Sequence, residues 1–311
     1  MSLPTASPHS LRFEPHRDRL FGIAYRMTGS VVDAEDALQE AYVRWQGVDL
    51  DAVRNDEAFL VRMVTRLAID RQRQTARRRE SYVGPWLPEP LVGPLTPSRP
   101  PDPASAAELA DSLSFAFLVM LDRLSAAERA AFLLHDVFGV TFDEIATTLE
   151  REPEACRQLA SRARRKLRAD PSSPERTGHA GTPEPTDRAT LDGLLVALLG
   201  GDVDGCLAHL APGVVLTSDA GPNRRAARHH VVGADRVARL LAHLARRAAG
   251  NVREIRPVTV NGALGLLFDH VDGPMVITGD IEADGRIGRI WIQMNPDKLV
   301  GLLDRGDSPT A

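Results

Sequence analysis

The sequence predicts a multidomain protein in which two all-α modules precede a C-terminal α+β domain. Apolar residues recur at three- and four-residue intervals in two blocks of the chain, which is the period of amphipathic helices. The last third combines helices with a run of short segments bounded by glycine turns, which indicates antiparallel strands. Two proline-rich stretches separate these blocks. The predicted modules are residues 10–80, 107–169 and 187–300, and the predicted linkers are residues 81–106 and 170–186.

The first module, residues 10–80, is predicted to be a bundle of at least three helices. Gly29-Ser30 and the stretch 47–56 interrupt the helical spacing of its apolar residues. Asp33 or the turn residues before it can cap the second helix, because side-chain oxygens accept hydrogen bonds from the free N–H groups at a helix start. The carboxylates that follow suit the positive end of the helix dipole.

The linker at 81–106 contains eight prolines, which exclude a regular helix and favour an extended, semi-rigid chain. Trp86 lies in an apolar island, residues 86–91, within this otherwise polar stretch. A large aromatic residue flanked by prolines favours docking onto another surface. The alternative is a solvated linker that happens to contain a tryptophan.

The second module, residues 107–169, is predicted to contain a helix-turn-helix. Ser125 and Glu128 form a capping box that opens one helix. A further helix begins at Thr141, and Pro153 stands in the first turn of a third helix, which carries a basic cluster. A short helix, a turn and a basic helix are typical of a motif whose last helix enters the DNA major groove. The alternative is an amphipathic hairpin with a solvated charged face.

Residues of this last helix are the candidates for contact with DNA. Those near its N-terminus are placed to reach base edges, and those further along are placed to contact phosphates. The base-edge candidates are Glu154, Arg157 and Gln158, and the phosphate candidates include Ser161, Arg162 and Arg165.

The net charge of −4 hides an uneven distribution. Arginines crowd residues 62–79 and basic residues crowd 162–168, whereas acidic residues gather at 33–40 and in the C-terminal third. Two separate basic clusters in an acidic chain predict two contacts with DNA. Cys156 and Cys206 have no metal-binding spacing, so we expect neither a metal site nor a cofactor. No apolar run approaches the ~20 residues of a membrane span and no secretion signal opens the chain, so we expect a cytoplasmic protein without a membrane partner.

Segments of the two helical modules resemble those of a known family. Residues 33–42 followed by 58–71 resemble sigma region 2, and residues 124–168 resemble sigma region 4. Their order and spacing are similar to those of extracytoplasmic-function sigma factors, bacterial subunits that direct RNA polymerase to promoters. The resemblance covers about residues 10–168. It implies a region 2 helical bundle and a region 4 helix-turn-helix, with core RNA polymerase and the −35 and −10 elements of promoter DNA as partners.

The resemblance also implies roles for individual residues. The acidic helix would bind the polymerase, the following helix would open and read the −10 element, and the basic helix would read the −35 element. Acidic side chains suit a basic docking surface, and arginines suit a separated DNA strand. The implied polymerase contacts are Asp33, Asp36, Gln39 and Glu40, and the implied −10 contacts are Arg66, Asp70, Arg71 and Arg73.

The third module resembles the SnoaL-like branch of the nuclear-transport-factor-two superfamily, an α+β cone with an internal pocket. Residues 201–204 and 210–214 carry this likeness. The segments 86–90, Trp-Leu-Pro-Glu-Pro, and 295–299, Asn-Pro-Asp-Lys-Leu, resemble a group of sigma factors controlled by such an attached domain. A glycine-rich motif of that group would begin at Asp219, where this chain departs from it. The residues implied in regulation between domains are Trp86, Pro88, Asn295, Pro296, Asp297 and Lys298.

Three alternatives remain for this module: catalysis, sensing of a small ligand in the pocket, or regulation without a ligand. Related cyclases use a pocket His or Asp as an acid–base catalyst, but no spacing here fixes a pair. We therefore assign no catalytic residue and expect no enzyme. The alternatives for the whole chain are a helix-turn-helix regulator independent of polymerase and a pocket enzyme tethered to DNA-binding modules. The available acid–base side chains are His209, His229, His230, Asp269, His270 and Asp280.

Overall fold

The computed structural model describes residues 7–79, 82–94, 114–169, 185–222, 224, 226–300 and 302. The chain forms two compact units, one made of residues 1–80 and 120–170 and the other of residues 81–119 and 171–311. Residues 82–94, which the sequence analysis places in the first linker, thus fold with the C-terminal module. Among the described residues, no helix combines the length and apolar character needed to cross a membrane.

The N-terminal half of the first unit is a bundle of four helices. They are α1 (Pro8–Phe13), α2 (Arg17–Thr28), α3 (Val31–Trp45) and α4 (Asp56–Arg79). Gly29, at φ 69°, ends α2, and its N–H donates to the carbonyl of Tyr25. Ser30 then caps α3 by accepting from the N–H of Asp33 at 3.1 Å. The predicted break at Gly29-Ser30 is therefore the junction of two helices.

The described helices that follow next in the chain are α5 (Phe115–Leu121), α6 (Ala126–Phe132), α7 (Phe142–Leu149) and α8 (Pro153–Arg168). The predicted Ser125–Glu128 capping box is present, and Thr141 and Glu144 form a second one at the start of α7. A π-helical turn at Leu133–Val137 extends α6 to the turn at Gly139. The start of the predicted helical block, at residues 107–113, lies outside the described residues.

The described part of the second unit contains most of α5, three further helices and a seven-stranded sheet. Its elements are α9 (Pro185–Gly200), α10 (Val203–His209), α11 (Ala234–Ala248), β1 (Val92–Gly93), β2 (Leu210–Asp219), β3 (Val231–Val232), β4 (Val252–Val260), β5 (Ala263–His270), β6 (Met275–Ile281) and β7 (Ile287–Gln293). The strand order is β1-β4-β5-β6-β7-β2-β3.

One strand pair departs from the antiparallel run predicted by the sequence. β2 pairs with β7 in parallel, whereas the other five strand pairs of the sheet are antiparallel. The chain between β2 and β7 contains α11 and three long strands, and a connection of this length permits a parallel crossover. The sequence pattern marks the strands but not which of them become neighbours.

The sheet buries an apolar cluster on each of two sides. One cluster joins it to α9–α11 through side chains such as Cys206, Leu216 and Ile290. The other cluster contains Leu87 and Phe115, which pack with Trp291 of β7 and other sheet residues. β1 extends this arrangement, because Val92 and Gly93 of the linker pair with the end of β4. Residues 82–94 of the linker thus contribute to the core of the second unit.

Candidate promoter, polymerase and regulatory sites

The basic helix α8 divides into a buried and an exposed face. Cys156, Leu159, Ala160, Ala163 and Leu167 are buried within the first unit. The six predicted −35 residues, Glu154, Arg157, Gln158, Ser161, Arg162 and Arg165, are all exposed. An amphipathic repeat of this kind leaves one side of the helix available to a DNA groove.

Several charges on α8 are held by the first unit itself. Lys166 Nζ lies 2.7 Å from an oxygen of Glu128, and Arg162 Nε lies 3.8 Å from the other oxygen. Desolvation acts to raise the pKa of Glu128, but the hydrogen bonds from Lys166 and Ser125 outweigh it and lower that pKa overall. Glu128 therefore completes the capping box at the start of α6 and also binds the basic side chains that orient α8. Arg157 pairs with Glu154 one turn earlier, at 3.1 Å.

The four predicted polymerase residues on α3 differ in their surroundings. Asp36 and Gln39 are exposed. The carboxylate of Asp33 accepts a hydrogen bond from the Thr75 hydroxyl at 3.3 Å. Glu40 accepts hydrogen bonds from Arg44 at 2.5 Å and from Arg71 at 3.1 Å.

The ion pairs of Glu40 set its charge state. Desolvation acts to raise the pKa of Glu40, but the bonds from Arg71 and Arg44 outweigh it and lower the pKa below its ordinary value. Glu40 is thus held as a carboxylate that links α3 to α4. Asp36 and Gln39 remain as the pair directed away from the bundle.

The four predicted −10 residues on α4 point to three places. Asp70 and Arg73 are exposed and lie 3.5 Å apart, one turn from each other. Arg71 is bound to Glu40 on α3. Arg66 faces α7, where its guanidinium donates to the carbonyl oxygens of two residues of that helix. The structure therefore does not gather the four side chains at one surface.

One of the predicted regulatory residues, Lys298, has its ammonium group enclosed by partners within the second unit. Lys298 Nζ lies 3.3 Å from the centre of the Trp86 ring and 2.7 Å from Oδ2 of Asp219. It also donates to the carbonyl of Leu87 at 2.5 Å, and the side chain of Lys298 is only 8% exposed. A buried ammonium needs such partners, because an unpaired charge in the protein interior is very costly.

Further hydrogen bonds tie the linker to the C-terminal segment. Asn295 Nδ2 donates to the Tyr82 hydroxyl at 3.0 Å, and Tyr82 in turn contacts Asp219. Gln293 Nε2 donates to the carbonyl of Pro88 at 3.0 Å. Burial and the bond to Asp219 raise the pKa of Tyr82, so its hydroxyl stays a donor.

Part of this cluster carries no signal in the sequence. Tyr82 and Gln293 lie outside the two short segments that suggested regulation, and no local pattern marks them. Asp219 was noted only for a departure from a motif, yet its carboxylate binds Lys298 and the N–H of Leu87 at 2.9 Å. Of the predicted residues, Pro296 and Asp297 are exposed on the short helical turn that positions Lys298.

The acid–base side chains of the third module have different partners. Asp280 pairs with Arg289 at 3.3 Å, His230 contacts the Thr217 hydroxyl at 2.8 Å, and Asp269 lies 3.6 Å from Arg253. Desolvation raises the pKa of Asp280 to about 6 even though Arg289 acts in the opposite direction. Within the described part of the unit, the six candidate side chains do not pair with one another. They therefore form no catalytic dyad there.

A helix-turn-helix with an exposed basic face, in one chain with a helical bundle carrying an acidic surface helix, defines a promoter-recognition factor of the sigma class. Family models agree: residues 12–78 match Sigma-70 region 2, and residues 114–167 match Sigma-70 region 4.

Relatives with a similar overall layout extend the likeness to the whole chain. The ECF RNA polymerase sigma factor SigJ of Mycobacterium tuberculosis is 38% identical over 308 residues, covering 96% of each chain. The probable ECF RNA polymerase sigma factor SigI of the same species is 34% identical, covering 94% of this chain and 95% of that one. The crystal structure of M. tuberculosis SigJ matches with a TM-score of 0.72 at 34% identity, covering 93% of this chain and 97% of that one.

The chain belongs to the extracytoplasmic-function RNA polymerase sigma factors, which direct promoter-specific transcription initiation. The predicted fold class is confirmed, with helical sigma modules followed by a sheet-containing domain. The matched relatives are named as sigma factors and not as enzymes.

Proposed function

We propose that α8 of this sigma factor reads the −35 element, that α4 contacts the −10 element and that α3 binds core RNA polymerase. The observation that carries the proposal is the division of α8 into two faces. Its apolar residues are buried, while the predicted base and phosphate contacts are exposed. A helix supported in this way by its own module can enter a major groove without rearranging its core.

The exposed face of α3 supports its role in docking. Asp36 and Gln39 lie on it together with Val32 and Val43, which are 55% and 67% exposed. These positions recur every three or four residues and so share one side of the helix. A face that combines apolar and acidic side chains suits a partner with apolar and basic ones. We propose that Asp36 and Gln39 make direct contact and that Glu40 positions α3 against α4.

Run-off transcription with purified core polymerase on a library of genomic fragments tests this proposal. We expect promoter-specific transcripts from the full chain and their loss when Gln158→Ala and Arg165→Ala are combined. Arg246→Ala, which removes an exposed arginine of α11, serves as the matched control. Absence of any promoter-specific transcript would reject the proposal. Equally tight binding to duplex DNA with and without polymerase would instead favour a free-standing regulator.

We further propose that the second unit regulates the sigma modules in cis. Residues 82–94 lie between the two sigma modules in sequence and are bound into the second unit by Asp219, Gln293 and Lys298. A domain that holds the connecting chain restricts the arrangements open to the modules at its ends. The regulatory effect would therefore pass through the linker and needs no bound ligand.

Release of the linker tests regulation in cis. Lys298→Met removes the ammonium while keeping much of the side-chain length, and Asp284→Ala is a control at an exposed turn of the same unit. We expect Lys298→Met to change promoter-dependent transcription while the control leaves it unchanged. Equal transcription from both variants and the unaltered chain would defeat the idea.

We also propose that this protein carries out no covalent chemistry, needs no cofactor and works in the cytoplasm with RNA polymerase. In support, the space between α9–α11 and the sheet holds aliphatic side chains such as Leu194, Leu241 and Ile292. An interior filled by such side chains leaves little room for a substrate. Turnover of a ketone or polyketide substrate that disappears in Asp280→Asn would overturn this part of the proposal.

A further inference from the structure

Arg66 of α4 caps the C-terminal end of α7. Its Nε donates to the carbonyl oxygen of Thr148 at 3.0 Å, and its Nη2 donates to that of Thr147 at 2.9 Å. Nη2 also lies 3.0 Å from Oε1 of Glu150. The last four carbonyls of an α-helix have no partner within the helix and form the negative end of its dipole. One guanidinium from region 2 therefore satisfies two free carbonyls of region 4.

Region 4 returns the same kind of contact to region 2. Nη1 of Arg129, on α6, donates at 2.8 Å to the carbonyl of Met27 in the last turn of α2. Its Nη2 binds Asp122 at 2.6 Å, and Asp122 also lies 3.0 Å from Nη1 of Arg79 on α4. The Arg129 side chain is 1% exposed, so this contact is part of a closed interface and not a surface ion pair. The two modules thus exchange arginine caps, defined here as guanidinium groups bound to the carbonyls of the other module's helix ends.

The loop before α4 borders a cavity beside the same interface. This cavity of about 490 Å³ is lined by Val53 and Asn55 of this loop, by Arg62 of α4, and by Gly139 and Glu144 of region 4. Residues of region 4 thus form one wall of this cavity, and Glu144 adds a carboxylate to it.

Arg66 holds α7 through one edge of its guanidinium. Its Nε and Nη2 are both directed at α7, and a DNA phosphate or base at the same place would have to displace the Thr147 and Thr148 carbonyls. A guanidinium has five N–H donors in one rigid plane, so a change of partner requires the whole side chain to move. For the edge of the guanidinium formed by Nε and Nη2, contact with the −10 element and capping of α7 are therefore alternatives.

We propose that regions 2 and 4 of the free chain mask each other through these arginine caps, and that α7 must leave Arg66 before Arg66 can contact the −10 strand. The proposal rests on the proposed role of α4 in −10 contact. Polymerase binding would supply the free energy for separation. The end of α7 then competes with promoter DNA for Arg66.

The contact between Arg66 and the end of α7 can be exchanged for another partner. Its side chain is 45% exposed and that of Glu150 is 76% exposed, so water can replace the contact as it opens. Glu150 also has φ 54°, in the left-handed region, where a non-glycine residue is held by its surroundings. Arg129, by contrast, is buried and holds the opposite side of the interface. Opening is therefore expected to begin at Arg66.

Distance measurements on the full chain test the closed arrangement. Spin labels on cysteines introduced at Asp18 of α2 and Arg168 of α8 report the separation of the two modules, since both positions are exposed. Native Cys156 and Cys206 are buried, and the unaltered chain controls for their labelling. We expect one short distance in the free chain, a longer one with core polymerase, and a broader distribution in Arg66→Ala. An identical distance with and without polymerase would overturn the proposal while leaving the sigma function intact.

Transcription supplies a second and independent test. Glu150→Gln weakens the cap but leaves Arg66 available to DNA, so we expect initiation to rise about 1.4- to 5-fold, the range of an exposed ion pair. Glu152→Gln removes a neighbouring exposed charge from the same turn and controls for general attraction to DNA. Arg66→Ala should lower initiation, because it loses the DNA contact as well as the cap. An equal rise in Glu150→Gln and Glu152→Gln, or no rise in either, would contradict the competition. Failure of all variants and the unaltered chain to initiate would instead reject the proposed function.

Discussion

The ammonium of Lys298 lies over the Trp86 ring, 3.3 Å from its centre, although Trp86 belongs to a predicted linker and Lys298 to the predicted C-terminal module. Asp219 completes the site with a 2.7 Å ion pair, and its carboxylate also accepts the N–H of Leu87. The positive charge thus binds an aromatic face, a carboxylate and a backbone carbonyl at once. This arrangement makes the linker a structural part of the C-terminal unit.

Lys298→Met is expected to destabilise the second unit by about 3–5 kcal/mol, because it leaves Asp219 as a buried charge without its main partner. The free energy of unfolding from denaturant titration, with Trp86 and Trp291 fluorescence as the signal, measures the loss. Asp297→Ala, on the exposed side of the same turn, should change it by no more than about 0.5 kcal/mol. Equal losses in the two variants would show that the ion pair contributes nothing specific.

Asp280 predicts a distinct pH dependence for the second unit. Desolvation raises the pKa of Asp280 in the folded state to about 6, well above the value of 3.8 for an unperturbed Asp. The folded state then binds more protons than the unfolded state between those values, so stability falls as the pH rises from about 4 to 6. At about 1.4 kcal/mol per pKa unit, the loss is on the order of 3 kcal/mol.

Asp280→Asn should remove this slope, whereas Asp284→Asn, at an exposed turn position, should keep it. Unfolding by denaturant at a series of pH values between 4 and 7 measures the difference. Parallel stability curves for Asp280→Asn and the unaltered chain would show that Asp280 does not titrate in this range.

Two variants of α8 separate base reading from phosphate binding. Gln158→Ala should relax specificity at one position of the −35 element, with a loss of about 1–3 kcal/mol there. Arg165→Ala should weaken binding to all sequences alike and reduce the slope of log affinity against log salt by about 1. Competition binding of the polymerase complex to a set of −35 variants, at several salt concentrations, distinguishes the two patterns. Sequence-independent loss in Gln158→Ala would contradict its assignment to a base edge.

Charge reversal on α3 tests the polymerase face without disturbing the bundle. Asp36→Lys places a cation on the exposed side of α3, where we expect it to weaken binding to core polymerase at least tenfold by like-charge repulsion. Glu35→Lys, at a half-exposed position beside it, is the control and should have a smaller effect. Fluorescence anisotropy of labelled sigma factor titrated with core polymerase gives both affinities. Unchanged affinity in Asp36→Lys would remove this face from the docking surface.

The sequence by itself determined the elements of this protein. The Ser125–Glu128 capping box forms as predicted because its partners are three residues apart, and β4 and β5 form in the stretch where short segments between glycine turns predict strands. The sigma family could also be predicted, since its two motifs are continuous in the chain and their order is fixed. The two faces of α8 follow from helical periodicity alone.

Only the tertiary structure decided which distant groups meet. Lys298 pairs with Asp219 from 79 residues away, and Arg66 reaches Thr148 across 82 residues. Neither partner can be chosen from periodicity, because many carboxylates and helix ends are equally available in the sequence. The parallel pairing of β2 with β7 has the same origin. Local patterns fix helices, caps and strands through near neighbours, whereas burial of apolar surface selects which of them pack together and thereby which charges must pair.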